Sequence, residues 1–328
     1  MEGTPQGPGS SFRANIIRVK TFWEIGLHLV SDPSITYGGN RDMTITIGSG
    51  AHENFQPSLR MATGSIILAH GVTNGDVDMA FVNPSACLTQ AYKGTGLFSQ
   101  PLPVRIVASY PSWDRFVVVA HPRIGITSLA EIKERRIPVR MSIREDPTHS
   151  TLVLLNQILA VHGFSLADIE SWGGSFQLNG PPHDKRRMDA LYADELDIIC
   201  DEGIPTMWFN EALEQGMQPI TLDDEVFEKL EAIGWRRVTI PADRFPHLTQ
   251  AYTCIDFSGW PIYTRAGLDD ETVYKVCAAI HAKDDAIPWD GDSYTDINQV
   301  WQGTEATPVD VPFHPGALQW YKEQAAGV

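Results

Sequence analysis

The sequence predicts an α/β protein folded as two lobes around a ligand cleft. Two observations carry this reading. Four short apolar strands each run into a polar, small-residue elbow and then into a helix pattern. Strand-and-helix alternation also runs in two successive rounds, and the chain returns to the first near its end. A strand feeding a helix N-terminus is where open α/β sheets hold small ligands, because free N–H groups of the first helical turn face the crevice.

The elements follow in order. Residues 1–12 (MEGTPQGPGSSF) read as a tail, and Lys20–Ser31 as an early helix. The strand Met43–Gly48 leads into the first elbow, Ser49–Asn54, and a helix is expected from Gly64 to His70. The most informative stretch is Gly75–Gly94, GDVDMAFVNPSACLTQAYKG. Its apolar run is too short for a helix and suits a buried parallel strand. Pro84 falls at the following helix start, where its missing N–H costs nothing. Asn83 or Ser85 can cap that helix. Val104–Ser109 and Arg115–His121 are β-branched runs separated by Tyr110–Asp114, and Thr127 or Ser128 caps a helix after Gly125.

A second round begins at Pro138–Ile143, which leads through the elbow Arg144–Ser150 to a helix over 150–162. A strand at Ser175–Leu178, a helix over 184–193 and the strand Leu196–Cys200 follow. The fourth elbow, Asp201–Thr206, opens a helix over 205–215. Gln218–Leu222 and Trp235–Ile240 read as strands, and Thr253–Thr264 as a returning strand interrupted at Gly259-Trp260-Pro261. Asp270–Ala282 is helical, and the end, Trp301–Ala325, holds a turn and a last helix. With crossings near 118–124 and 248–256, residues 1–15 form a tail, 16–121 plus 256–328 the first lobe, and 122–255 the second.

The 328 residues are 43% hydrophobic and 20% charged, a globular composition long enough for two lobes. No run approaches the ~20 apolar residues of a membrane span, so membrane insertion is not expected. A net charge of −16 argues against nucleic acid or an anionic membrane surface as partner. It leaves room for an anionic small molecule, since a local arginine overrides the global field. The start lacks the basic residues and unbroken apolar core of a secretory signal. The expected location is cytoplasmic for the chain as given, or periplasmic for a form that has lost its leader. Cys87, Cys200, Cys254 and Cys277 are far apart, without paired or zinc spacing, and read as small buried hydrophobes.

Several of these segments, in this order, resemble the TAXI group of solute-binding proteins that serve tripartite (TRAP) transporters. They are Gly64-Ser65, Gly75–Val82, Ala91–Gly94, Ile106–Pro111 and Gly125–Leu129. Asp197–Ile199, His314-Pro315-Gly316-Ala317 and Trp320-Tyr321-Lys322-Glu323 complete the set, and the resemblance covers roughly residues 43–325. It implies the type 2 periplasmic-binding-protein fold, a small-molecule ligand and, for an exported form, TRAP membrane subunits as partners. Two elbows depart from the family pattern. Gly48–Pro57 carries His52, Glu53 and Asn54 where the family has two tyrosines, and Arg144–Ser150 replaces a small, glycine-rich run.

The candidate ligand-binding residues are His52, Asn54, Asn83, Ser85, Trp113, Arg144, His149, Ser150, Asp201, Glu202 and Trp260. Arg144 is expected to grip a carboxylate with its guanidinium fork. Trp113 and Trp260 lie where the crossings should line the cleft, as an aromatic wall or as core. Asp201 and Glu202 read as residues at a helix start, where the dipole favours them, or as ligands for a cation. The first functional reading is capture of a small organic acid, including aromatic ones, by hinge closure. The alternative is a cytoplasmic enzyme on the same fold, of decarboxylase or hydrolase type, acting on a small carboxylate. In that reading His52, Glu53, His149, Asp201 and Glu202 supply acid–base groups or hold a divalent metal; no other cofactor is implied.

Overall fold

The computed structural model of the chain describes residues 23, 25, 44–48, 57–62, 66–204 and 207–326. Its apolar runs pair into two sheets, as the predicted α/β class requires. The first holds β1 (Thr44–Gly48), β2 (Pro57–Ala62), β3 (Met79–Phe81), β4 (Val104–Tyr110) and β12 (Trp260–Arg265), in the order β1-β2-β3-β12-β4. β2 and β3 are parallel, while β12 runs antiparallel to both β3 and β4.

The second sheet holds β5 (Arg115–Ala120), β6 (Arg140–Arg144), β7 (Ser175–Asn179), β8 (Ile198–Glu202), β9 (Gln218–Pro219), β10 (Arg237–Ile240) and β11 (Tyr252–Asp256). Its order is β10-β11-β5-β8-β6-β7, with β9 beside β5. β6 is parallel to β7 and β8, and β5 is antiparallel to β8 and β11.

The chain passes from the first sheet to the second at Pro111–Asp114 and returns at Phe257–Gly259. The first passage therefore precedes the 118–124 expected, and the second follows 248–256. β5 joins the second sheet because its run, RFVVVA, is apolar on both faces and needs cover on both. Phe116 and Val118 enter one apolar cluster, Val117 and Val119 another. Thr253–Thr264, read as one interrupted strand, is two strands in different sheets. Gly259 marks the break: its φ is 74°, and a Cβ there would lie 2.8 Å from Pro308 Cδ.

Ten α-helices lie between residues 66 and 326: α1 (Leu68–Asn74), α2 (Ser85–Lys93), α3 (Ala130–Arg135), α4 (Ser150–Val161), α5 (Leu166–Ser171), α6 (Lys185–Tyr192), α7 (Trp208–Glu214), α8 (Asp224–Ile233), α9 (Asp270–Ala282) and α10 (Pro315–Ala326). α2 is buried from Ser85 to Ala91. Its Ala86 and Leu88 share one continuous core with Leu154 and Ile158 of α4 and Phe227 and Leu230 of α8, so apolar packing joins the two lobes beside the cleft. Of the expected early helix only Trp23 and Ile25 are described, both helical and exposed.

Two local expectations are corrected. α2 follows a cis Asn83–Pro84 bond and starts without a side-chain cap. Ser85 Oγ instead donates to the carbonyl of Ser258 at 3.0 Å, and the Asn83 amide reaches across to Glu202. Asp201 and Glu202 end β8 and are not at a helix start, since α7 begins only at Trp208.

Candidate functional site

Three of the four predicted elbows meet. Asn83, after β3, donates from Nδ2 to Glu202 Oε2 at 3.3 Å. Ser150, at the start of α4, donates from Oγ to the Asn83 carbonyl at 2.7 Å. Arg144, ending β6, donates to Asp201 Oδ1 at 3.0 Å through Nε and to Glu202 Oε1 at 2.7 Å through Nη2. Its Nη1 donates to the Gly180 carbonyl. The first-lobe elbow thus locks onto the ends of two second-lobe strands. The remaining elbow, with His52, Glu53 and Asn54, lies outside the described residues.

The cluster is an ion network closed on itself. Arg187 of α6 is fully enclosed, and its Nη1 lies 2.6 Å from Asp201 Oδ2, an ion pair off the line of a hydrogen bond. Arg187 also donates to Ser142 Oγ and to the Pro182 carbonyl, and stands over the Trp208 ring at 5.5 Å. Burial works against the Arg144 charge, but Asp201 and Glu202 outweigh it and raise its pKa above the ordinary guanidinium value. Each terminal nitrogen of Arg144 is engaged, so the fork expected to grip a ligand's acid already holds two of the protein's own carboxylates.

His149 Nε2 lies 3.7 Å from Glu202 Oε1, while its Nδ1 accepts from the Thr151 N–H and so caps α4. Both Glu202 oxygens are engaged, one by Arg144 and one by Asn83. Asp201 is enclosed between two arginines. The Asn83 Oδ1 atom is buried and without a hydrogen-bond partner among the described residues.

Beside this cluster lies the passage between sheets. Asp114 Oδ1 accepts N–H bonds from Arg115, Gly203 and Ile204, tying the passage to the fourth elbow. Burial, then the charge of Glu202, pushes the Asp114 carboxyl well up, against the pull of those three N–H groups. Arg115 Nη1 donates to Asp256 Oδ1 at 2.8 Å and to Ser258 Oγ at 2.5 Å, which fastens the outgoing passage to the returning one.

Next to the passage a cavity of about 290 Å³ is lined by Trp113, Asp290, Asp292 and Ser293, and by Ile204 and Arg244 from the second-lobe part of the chain. Trp113 lines it as expected, but its ring is not a bare aromatic wall. Arg115 stands over it at 4.1 Å and Arg244 at 5.2 Å. The indole therefore seats guanidinium groups. Arg244 is exposed and has no carboxylate partner among the described residues. Trp260 does not join Trp113; it stacks on Tyr110 at 5.1 Å, in a run that continues through Trp289 to Tyr294.

The sequence reading thus brought Asn83, Arg144, His149, Ser150, Asp201 and Glu202 to one place and Trp113 to the adjoining cavity. Ser85 serves the interlobe contact, accepting from Arg236 Nη2 at 2.6 Å, with its own proton on Ser258. Arg187, Asp114 and Arg244 were missed. Arg187 sits in a charged helix pattern, and only its burial reveals its role. All four cysteines are buried, and burial pushes each thiol up (that of Cys277 to about 11), which leaves no thiolate nucleophile among them. No three His, Cys, Asp or Glu side chains group as metal ligands among the described residues.

Two sheets joined by paired passages, with strand-end elbows meeting between them, define the class of two-lobed α/β proteins with an interlobe cleft. Within that class the chain belongs to the NMT1-like family, whose model matches residues 41–325. Among solved structures it is similar to the glycine/betaine/L-proline-binding protein ProX from Borrelia burgdorferi, at 12% identity over 66% of each chain and a TM-score of 0.37. It is also similar to lactococcal OpuAC complexed with glycine betaine, at 12% identity over 80% of this chain and 82% of that one, with a TM-score of 0.37. The periplasmic binding protein BugD matches at 14% identity over 81% and 85%, again with a TM-score of 0.37.

Proposed function

We propose that the protein is a solute-binding receptor that captures a small organic acid between its lobes by hinge closure. The observation that carries the reading is the cavity of about 290 Å³ with walls from both sides of the passage. A cavity shared in this way is sealed or opened by rotation of one lobe against the other. Arg244, exposed and without a carboxylate partner among the described residues, takes the acid group, and Trp113 holds that guanidinium in place. Ile204 offers an apolar contact for the organic part. Arg144 keeps the elbows together instead. The resemblance of GDVDMAFV and HPGA to the TAXI group supports delivery to TRAP membrane subunits from the periplasm.

A thermal-shift panel of small organic acids, with the solution followed by NMR, tests this. The expected result is at least one acid that raises the unfolding temperature and is not consumed. Failure of every acid to shift the transition would overturn it.

One observation favours the enzyme reading: His149 lies 3.7 Å from Glu202 at the meeting elbows. Disappearance of an acid in the same NMR experiment, abolished by His149→Ala, would establish catalysis in place of capture.

A further inference from the structure

The cavity is lined by charges of both signs that do not neutralise one another. Arg244, Asp290 and Asp292 line it together, yet among the described residues neither aspartate has a Lys, Arg or His within ion-pair distance. Asp290 is held in place: its Oδ2 accepts from Ser293 Oγ at 2.8 Å, and its Oδ1 from the Asp292 N–H at 3.3 Å. Ser293 Oγ in turn accepts the Trp113 N–H at 2.8 Å. One hydrogen-bonded chain therefore fixes the aspartate to the backbone of the tryptophan whose ring Arg244 overlies. With Asp290 anchored, Asp292 beside it and Arg244 the one cation of the lining among the described residues, the cavity carries an excess of negative charge, so a plain acid bound to Arg244 meets repulsion from the aspartates.

We propose that the captured solute is a zwitterion, an ammonium carboxylate whose acid group meets Arg244 and whose ammonium group meets Asp290, with Asp292 adding to the field. The inference rests on the receptor reading above and narrows its ligand class. A molecule carrying both charges satisfies Arg244 and Asp290 at once. The charge-assisted bond at Asp290 then strengthens binding by about tenfold or more.

The test titrates the full chain with three matched pairs by calorimetry: phenylalanine and 3-phenylpropanoate, leucine and 4-methylpentanoate, glutamate and glutarate. The expected result is that the ammonium member of at least one pair binds about tenfold or more tighter than its partner acid. That advantage should shrink in Asp290→Asn, while the affinity for the plain acid holds or rises. Asp292→Asn, at an exposed position, repeats the trend more weakly and guards against a folding defect at 290. If the plain acids bind as tightly as the ammonium members, the zwitterion inference falls and acid capture stands. If the advantage survives in both variants, the role of these aspartates is overturned. If none of the six binds and other acids from the thermal-shift panel do, the inference falls alone; if no acid binds at all, both fall.

Discussion

Asp201 is fully enclosed and carries two arginines, one of them, Arg187, as inaccessible as itself. Removing one charge from such a group leaves another buried without compensation, which costs far more than the intact group contributes. Asp201→Asn should therefore destabilise the protein by about 3–5 kcal/mol, read as a shift of the urea midpoint at unchanged slope. Asp114 behaves oppositely. Its carboxyl is raised in the folded protein, so the folded state binds the proton more tightly than the unfolded chain. Stability from this group is present at low pH and is lost as pH rises above the unfolded carboxylate value of about 4. Asp114→Asn keeps an oxygen for the three N–H donors and removes the charge. It should flatten that part of the stability–pH curve without loss at neutral pH; a steeper curve would refute the assignment.

Elements were largely legible where short range decides them. Strand-to-helix elbows, the apolar helix after Ser150 and the helix over 270–282 follow from residue periodicity and start signals. Partnership is a long-range matter, and there the reading slipped: β5 went to the other sheet and Ser85 to an interlobe bond. The run His314–Ala317 illustrates the difference. Its meaning is a close approach of two helices that sequence spacing cannot convey. A Cβ on Gly316 would lie 2.1 Å from Asp270 O, a backbone atom that cannot swing away. Gly316→Ala should push α10 off α9 and cost about 1–3 kcal/mol by overpacking, measured by thermal unfolding. A neutral substitution would show that the two helices are free to separate.

At the scale of the whole molecule, the fold class was readable and the site only partly so. Three of the elbows meet, because helix starts and strand ends carry local signals. Arg144 holds two of the protein's own carboxylates, a pairing that nothing in the sequence announces. Arg244 went unnoticed because its contact with the Trp113 ring joins positions far apart in the chain. Burial also lowers the pKa of His162, His281 and His314. The unfolded chain then binds more protons just below the ordinary histidine value of about 6.5, so stability falls as pH drops through that region. Replacing His314 by Gln should reduce that loss in acid unfolding curves.

The central claim is that an acid is held between the lobes by Arg244 and not by the Arg144 cluster. Calorimetric titration of an acid that stabilises the wild type, repeated on Arg244→Ala, tests it most directly. The account predicts binding weaker by about tenfold to a hundredfold, the worth of a hydrogen bond to a charged group. Unchanged affinity in Arg244→Ala would contradict it.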